Sequence, residues 1–180
     1  MRIISGKHKG RVLSSIKKAK IRPSSDKVKG SIFNVLKDEV EGKRVLDLFA
    51  GSGNLGIEAL SCGAEFVTFV DLSSASIKII KGNLRSLNLE EKAKTVGKDC
   101  LKVLPKFKGK FGIVFADPPY LSGFAQKVID SVVRYDLLEK DGILVLEHHK
   151  KETFKYPERK LSYIKAKRFG DTMVSFFIKS

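Results

Sequence analysis

The sequence predicts an α/β protein. It expects a mostly parallel seven-stranded sheet with helices on both faces, an antiparallel hairpin at the carboxyl-terminal edge and a small β-hairpin at the amino terminus. Three observations carry this. Apolar runs at 45–49, 66–70, 111–116 and 142–147 do not alternate with polar residues, which is the pattern of strands buried on both faces. Helical periodicity fills the gaps between them, as strand–helix–strand crossovers require. A glycine-rich turn directly follows the first run.

Residues 1–14 read as strand, turn (Gly6 to Gly10) and strand, and 17–22 as a loop. Ser24, Ser25 and Asp26 offer N-caps for a helix with Val28, Ile32, Val35 and Leu36 on one face. Gly30 inside it costs about 1 kcal/mol relative to alanine. The strand at 45–49 leads to a helix over 54–62, and the strand at 66–70 to a helix with Ile77, Ile80, Leu84 and Leu87 on one face. A short strand at 93–97, the strand at 111–116, a helix over about 123–138 and the strand at 142–147 follow. The chain closes with strands at 161–168 and 172–178, turned by Gly170 and Asp171. Residues 1–22 form the basic extension and 23–180 the main domain.

Composition narrows the function. The net charge is +15, with +9 in residues 1–30, +6 in 150–168 and none left over for the rest. Charge gathered at both ends of a neutral body marks a docking surface for a polyanion, nucleic acid before others. No apolar run is long enough to span a bilayer. The start lacks a signal-peptide core. Cys62 and Cys100 make neither a disulfide framework nor a zinc spacing. A soluble, cytoplasmic monomer without metal is expected. His148 and His149 are read as surface residues, because no third ligand has suitable spacing.

The stretch VLDLFAGSGNLG sets Gly51, Gly53 and Gly56 in G-x-G-x-x-G spacing after a strand, and Asp71 closes the next strand about twenty residues on. That order fits a nucleoside-bearing cofactor, with the acid on ribose hydroxyls. Asp47, just upstream, would repel a pyrophosphate at low dielectric and suits a cation, such as the sulfonium and ammonium of S-adenosylmethionine. It equally suits a bond to the loop's own N–H groups. Asp99 is placed to accept from an adenine amine, with the Cys100 N–H donating to a ring nitrogen, or else to cap the following helix. Phe49 and Leu72 complete the expected cofactor contacts.

The second stretch is VFADPPY. Asp117 ends a buried strand and is followed by Pro118, Pro119 and Tyr120. An exocyclic amine is a weak nucleophile because its lone pair is delocalised into the ring. The Asp117 carboxylate and the Pro118 carbonyl would hold its two hydrogens, with Pro119 stiffening the turn. Tyr120 would stack on the base, a contact worth about 1–3 kcal/mol. With an activated methyl donor, such a site works by positioning and electrostatics. The base must be flipped out or already unpaired.

Together these motifs resemble amino-methyltransferases of the D/N-P-P-Y/F type. The whole chain is similar to the bacterial RsmD family: MRIISGKHKGRVL to its amino-terminal hairpin, RPSSDKVKGSIFNVL to its R-P-T-T-D-R-V-R signature, and LDLFAGSGNLGIEALSCGA, DPPY and FGDTMVSFF to later segments. Lys27 and Lys29 stand where that pattern has arginine, and lysine lacks the bidentate fork. The resemblance implies a Rossmann-like class I methyltransferase fold, S-adenosylmethionine as donor (S-adenosylhomocysteine as product) and methylation of guanine N2 in 16S ribosomal RNA or the assembling small subunit. Lys7, Lys9, Arg11, Arg22 and Lys27 are the expected RNA contacts, with Arg22 to Asp26 either closing over the site or simply starting a helix. Adenine N6 in DNA or RNA, or a glutamine amide in protein, would fit the same chemistry.

Overall fold

A computed structural model describes residues 1–15, 26–107 and 109–180. Seven strands form one sheet in the order β3-β2-β1-β4-β5-β7-β6. They are β1 (Arg44–Leu48), β2 (Phe66–Asp71), β3 (Ala93–Gly97), β4 (Phe111–Ala116), β5 (Leu138–His149), β6 (Leu161–Phe169) and β7 (Thr172–Lys179). The first five are parallel; β7 lies antiparallel between β5 and the edge strand β6. The helices are α1 (Asp26–Leu36), α2 (Asn54–Ser61), α3 (Ser74–Ser86), α4 (Cys100–Val103) and α5 (Phe124–Arg134). The expected mixed sheet is present.

Strand pleating sends alternate residues to two cores. Val45, Phe69, Phe115, Val145 and Phe176 pack with α1, α2 and α3. Leu46, Leu48, Val114, Leu146 and Phe177 pack with α4 and α5. The neighbours Phe176 and Phe177 therefore serve opposite faces, each stabilising its core by about 1.5–3 kcal/mol.

Three local differences from the sequence reading have physical causes. The amino-terminal hairpin is a ribbon with one bridge, Arg2 to Val12, and its inner residues Ile3 and Leu13 are buried in the first core. Helix α5 stops at Arg134, and Asp136 takes a positive φ of 50° before β5 begins at Leu138. The helix expected to follow Asp99 is a single turn, α4, of four residues.

The ribbon is held by polar bonds as well as apolar burial. Lys29 of α1 and Glu58 of α2 form a fully buried ion pair at 2.7 Å. Glu58 also accepts from the Ile4 N–H at 3.0 Å, the Ser5 N–H at 2.7 Å and the Ser5 hydroxyl at 2.6 Å. Lys29 Nζ donates to the Arg2 carbonyl at 2.5 Å and to Asn54 Oδ1 at 2.8 Å. Buried charges are tolerated when their remaining bonding capacity is filled in this way. Lys29 therefore does not face solvent, and the family-signature position it occupies belongs to the interior.

Candidate active site

The strand order reverses direction between β1 and β4, the crevice where open α/β sheets place ligands. An acid lies at or near the carboxyl end of four strands here: Asp47 on β1, Asp71 on β2, Asp117 just after β4 and Glu147 on β5. The register pairs Leu48 with Ala116 and Ala116 with Leu146, so Asp117 and Glu147 follow level positions on neighbouring strands. Pleating turns Asp47, Asp117 and Glu147 toward the same face.

Asp47 is buried and accepts from the Gly56 N–H at 2.9 Å. Burial pushes its carboxyl up to about 7; the Gly56 N–H opposes this and the Asp71 charge adds to it. Gly56 must be glycine, since a Cβ there would lie 2.3 Å from the Phe69 ring and 2.9 Å from Asp47 Oδ2. Gly51 and Gly53 both take positive φ, and Gly53 caps α2. A Cβ on Gly51 would meet nothing nearer than the Phe49 carbonyl at 4.0 Å, which leaves room for a ligand against the loop.

Asp71 accepts from the Gly51 N–H and the Ser73 N–H, both at 2.8 Å. Asp99 caps α4 through the N–H groups of Leu101 at 2.9 Å and Lys102 at 3.2 Å. The Cys100 thiol accepts from the Phe49 N–H at 3.3 Å and donates to the Val70 carbonyl at 3.6 Å. Burial first, then neighbouring carboxylates, push it up to about 12 despite the Phe49 bond. Phe49 has a left-handed φ of 57° and stacks edge-on against Phe124 at 5.8 Å. Leu72 is 74% exposed beside Asp71. The strands β1, β2 and β3 thus gather Asp47, Phe49, the glycine loop, Asp71, Leu72, Asp99 and Cys100 along one half of the carboxyl edge.

The other half belongs to residues 117–123. Asp117 is half-buried, and its carboxyl is raised well above the usual range by burial first, then by Glu147 and Asp47. Pro118 is buried, and among the described residues no hydrogen bond reaches its carbonyl. The Pro119 carbonyl is occupied by the Ser122 hydroxyl. Tyr120 donates its hydroxyl to Glu147 Oε1 at 2.7 Å, and Thr172 Oγ1 lies 3.0 Å from the Tyr120 hydroxyl oxygen. Burial raises the phenol's pKa.

Glu147 was missed by sequence reasoning. Its signal was an acid ending the apolar run 143–146, the same pattern that drew attention to Asp117. The surface reading of the histidines is corrected for His148, which is buried at 5% exposure. Its Nε2 lies 2.8 Å from Ser175 Oγ, and its ring meets Phe154 edge-on at 4.6 Å. Burial holds its pKa below the usual value. An apolar strand that continues past its acid carries its next residues inside, so a charged-looking pair became half interior.

Lys7 and Lys9 are exposed at the ribbon's turn, which docks on Ser61 through the Lys7 N–H to its carbonyl at 2.8 Å and the His8 N–H to its hydroxyl at 2.9 Å. Ser61 is the last residue of α2, about 12 Å along the helix from the glycine loop at its start. Arg11 reaches the Ser86 carbonyl at the end of α3, at 3.2 Å. The ribbon's opposite end meets the glycine loop: Ser52 Oγ donates to Met1 Sδ at 3.4 Å, and Asn83 Nδ2 donates to the carbonyls of Ser14 and Ser52 at 3.1 and 3.2 Å. Lys27 is exposed at the start of α1. Arg22, with Pro23, Ser24 and Ser25, lies outside the described residues, as does the expected boundary at 22. No helix among the described residues is long and apolar enough to cross a membrane.

A family model described as conserved hypothetical protein 95 matches residues 1–178. YlbH of Bacillus subtilis (strain 168) is 38% identical over 182 residues, covering 99% of each chain. The ribosomal RNA small subunit methyltransferase D of Haemophilus influenzae is 34% identical over 161 residues, covering 88% of this chain and 83% of that one. Among solved structures, yhhF from Escherichia coli superposes with a TM-score of 0.89 at 29% identity, covering 100% of this chain and 98% of that one.

Proposed function

The chain belongs to the RsmD family of methyltransferases, and from that premise we propose that it methylates the exocyclic N2 amine of a guanine in 16S ribosomal RNA, with S-adenosylmethionine as donor. The single observation that carries the reading is the placement of Asp117 and Pro118 directly after the carboxyl end of β4, the strand next to β1 and its glycine loop.

The residues fit the donor. Gly51 leaves its approach open, Asp71 and Asp99 lie along the nucleoside half, and the buried Asp47 carboxylate suits a cation. Bound there, S-adenosylmethionine supplies a methyl group already activated on a sulfonium. A positive charge among Asp47, Asp71, Asp117 and Glu147 offsets their mutual repulsion and favours their ionised forms.

The work left to the protein is positioning. Ionised Asp117 accepts one N–H of the amine and the Pro118 carbonyl accepts the other, drawing the nitrogen toward tetrahedral geometry. Tyr120 backs the ring. The proton lost from the amine as the new N–C bond forms passes to Asp117, whose burial makes it more basic than an ordinary aspartate. The exposed Lys7, Lys9, Arg11 and Lys27 bind phosphates some way from the target base, with residues 1–22 acting as a docking extension of the catalytic domain at 23–180.

Small subunits from cells lacking this gene, incubated with protein and tritiated S-adenosylmethionine, test the reading. Nucleoside digestion is expected to yield labelled N2-methylguanosine. Label recovered as N6-methyladenine, or as methylated glutamine in protein, would replace it.

A further inference from the structure

We propose that Glu147 and Thr172 are positioning residues that fix Tyr120 as the platform beside the reacting amine; this rests on the proposed amine methylation. The tyrosine's hydrogen bonds are at its hydroxyl, and its ring meets His149 tilted at 6.1 Å. The residue is 37% exposed, while its hydroxyl is bonded to a buried carboxylate and lies against a buried threonine. These partners sit on neighbouring antiparallel strands, β5 and β7, where His149 pairs with Thr172 and Glu147 with Val174. The sheet itself therefore sets where the phenol oxygen sits.

The loop carrying Tyr120 has little else to place it. Residues 117–123 form no helix or strand, and Leu121 and Gly123 both take positive φ. The Ser122 hydroxyl closes back on Pro119 within the loop and ties it to no other element. Burying a carboxylate such as Glu147 is costly unless its bonds are made. Placing one level with Asp117 adds repulsion, so packing alone does not explain an acid at this position. A charged acceptor gives the phenol a stronger bond than a neutral one, about twice as strong. Fixing the ring before the base arrives removes the entropy of ordering it during the reaction.

The inference is that Glu147 and Thr172 act through Tyr120 and not on the donor. Turnover of small-subunit RNA and S-adenosylhomocysteine binding are measured for wild type, Glu147→Ala, Glu147→Gln, Thr172→Val, Tyr120→Phe and the Tyr120→Phe/Glu147→Ala pair. Glu147→Ala and Tyr120→Phe are each expected to lower kcat about tenfold or more while the S-adenosylhomocysteine Kd stays within twofold. Glu147→Gln, which keeps an acceptor oxygen, is expected to recover most of the loss. The double variant is expected to match the worse single one, because both remove the same bond. If Glu147→Ala does not fold, Thr172→Val decides: it is expected to slow wild type and to change nothing further in the Tyr120→Phe background. Additive losses, or full activity in Glu147→Ala, would overturn the inference and leave the methylation reading standing. A wild-type protein with no turnover on any RNA would overturn both.

Discussion

Lys29 Nζ and Glu58 Oε2 lie 2.7 Å apart with neither side chain exposed, joining α1 to α2 beneath the amino-terminal ribbon. Removing one partner strands the other charge in the interior. Lys29→Met is therefore expected to cost about 3–5 kcal/mol, the range for breaking a buried pair. Calorimetry checks this: at about 2–4 °C per kcal/mol for a chain of this size, Tm is expected to fall by roughly 10 °C. An unchanged Tm would mean that the ribbon does not depend on the pair.

Gly6 lies tight against the end of α2. It has φ 73°, and a Cβ there would lie 1.9 Å from the Ser61 carbonyl oxygen. Backbone cannot yield as a side-chain tip does, so Gly6→Ala is expected to lift the turn off α2 and cost about 1–3 kcal/mol. Limited proteolysis is expected to cut the ribbon sooner in the variant. RNA binding is expected to weaken more than S-adenosylhomocysteine binding.

Asp117 should matter to turnover far more than to affinity. Asp117→Ala removes one of the two acceptors proposed to hold the amine, so kcat is expected to fall by at least a hundredfold, the lower end of what acid–base and positioning groups contribute. The RNA Kd is expected to stay within a few-fold, because phosphate contacts carry most of the affinity. Filter binding beside single-turnover kinetics separates the two, and retained turnover would remove Asp117 from the mechanism.

The elevated Asp47 carboxyl has two pH consequences of opposite sense. Its folded pKa, about 7, lies above the unfolded value of 3.8, so the folded chain holds a proton that the unfolded chain releases. The contribution to stability is present at low pH and is lost as pH rises from about 4 through 7. A cationic donor prefers the ionised acid, so S-adenosylmethionine is expected to bind more tightly from pH 6 to pH 8, by up to tenfold per unit below the pKa. Titration calorimetry across that range is expected to show a flatter dependence in Asp47→Asn. An identical slope in the variant would exclude Asp47 as the linked group.

Much of the site was legible because it is local in sequence. Gly51, Gly53 and Gly56 are spaced for a tight turn whatever surrounds them, and Asp117 and its prolines end a strand by their own chemistry. Glu147 was not legible as a partner of Tyr120, because 27 residues separate them and only the pairing of β5 with β4 and β7 brings them together. The Cys100 thiol likewise gains its role from Phe49, just after β1, and Val70 on β2.

Lysine offers the sharpest contrast. Lys27 and Lys29 are two residues apart in one helix, alike in charge and composition, yet one is exposed and the other fully buried. Helical spacing of 3.6 residues turns them about 200° apart, and the facing element decides which side is interior. Order along the chain, through apolar period and turn chemistry, settled the strands, the loop and the acids that end them. Which charges meet, which are sealed from water and where the basic turn docks were settled only when the strands aligned, because such contacts depend on distances that sequence separation does not encode.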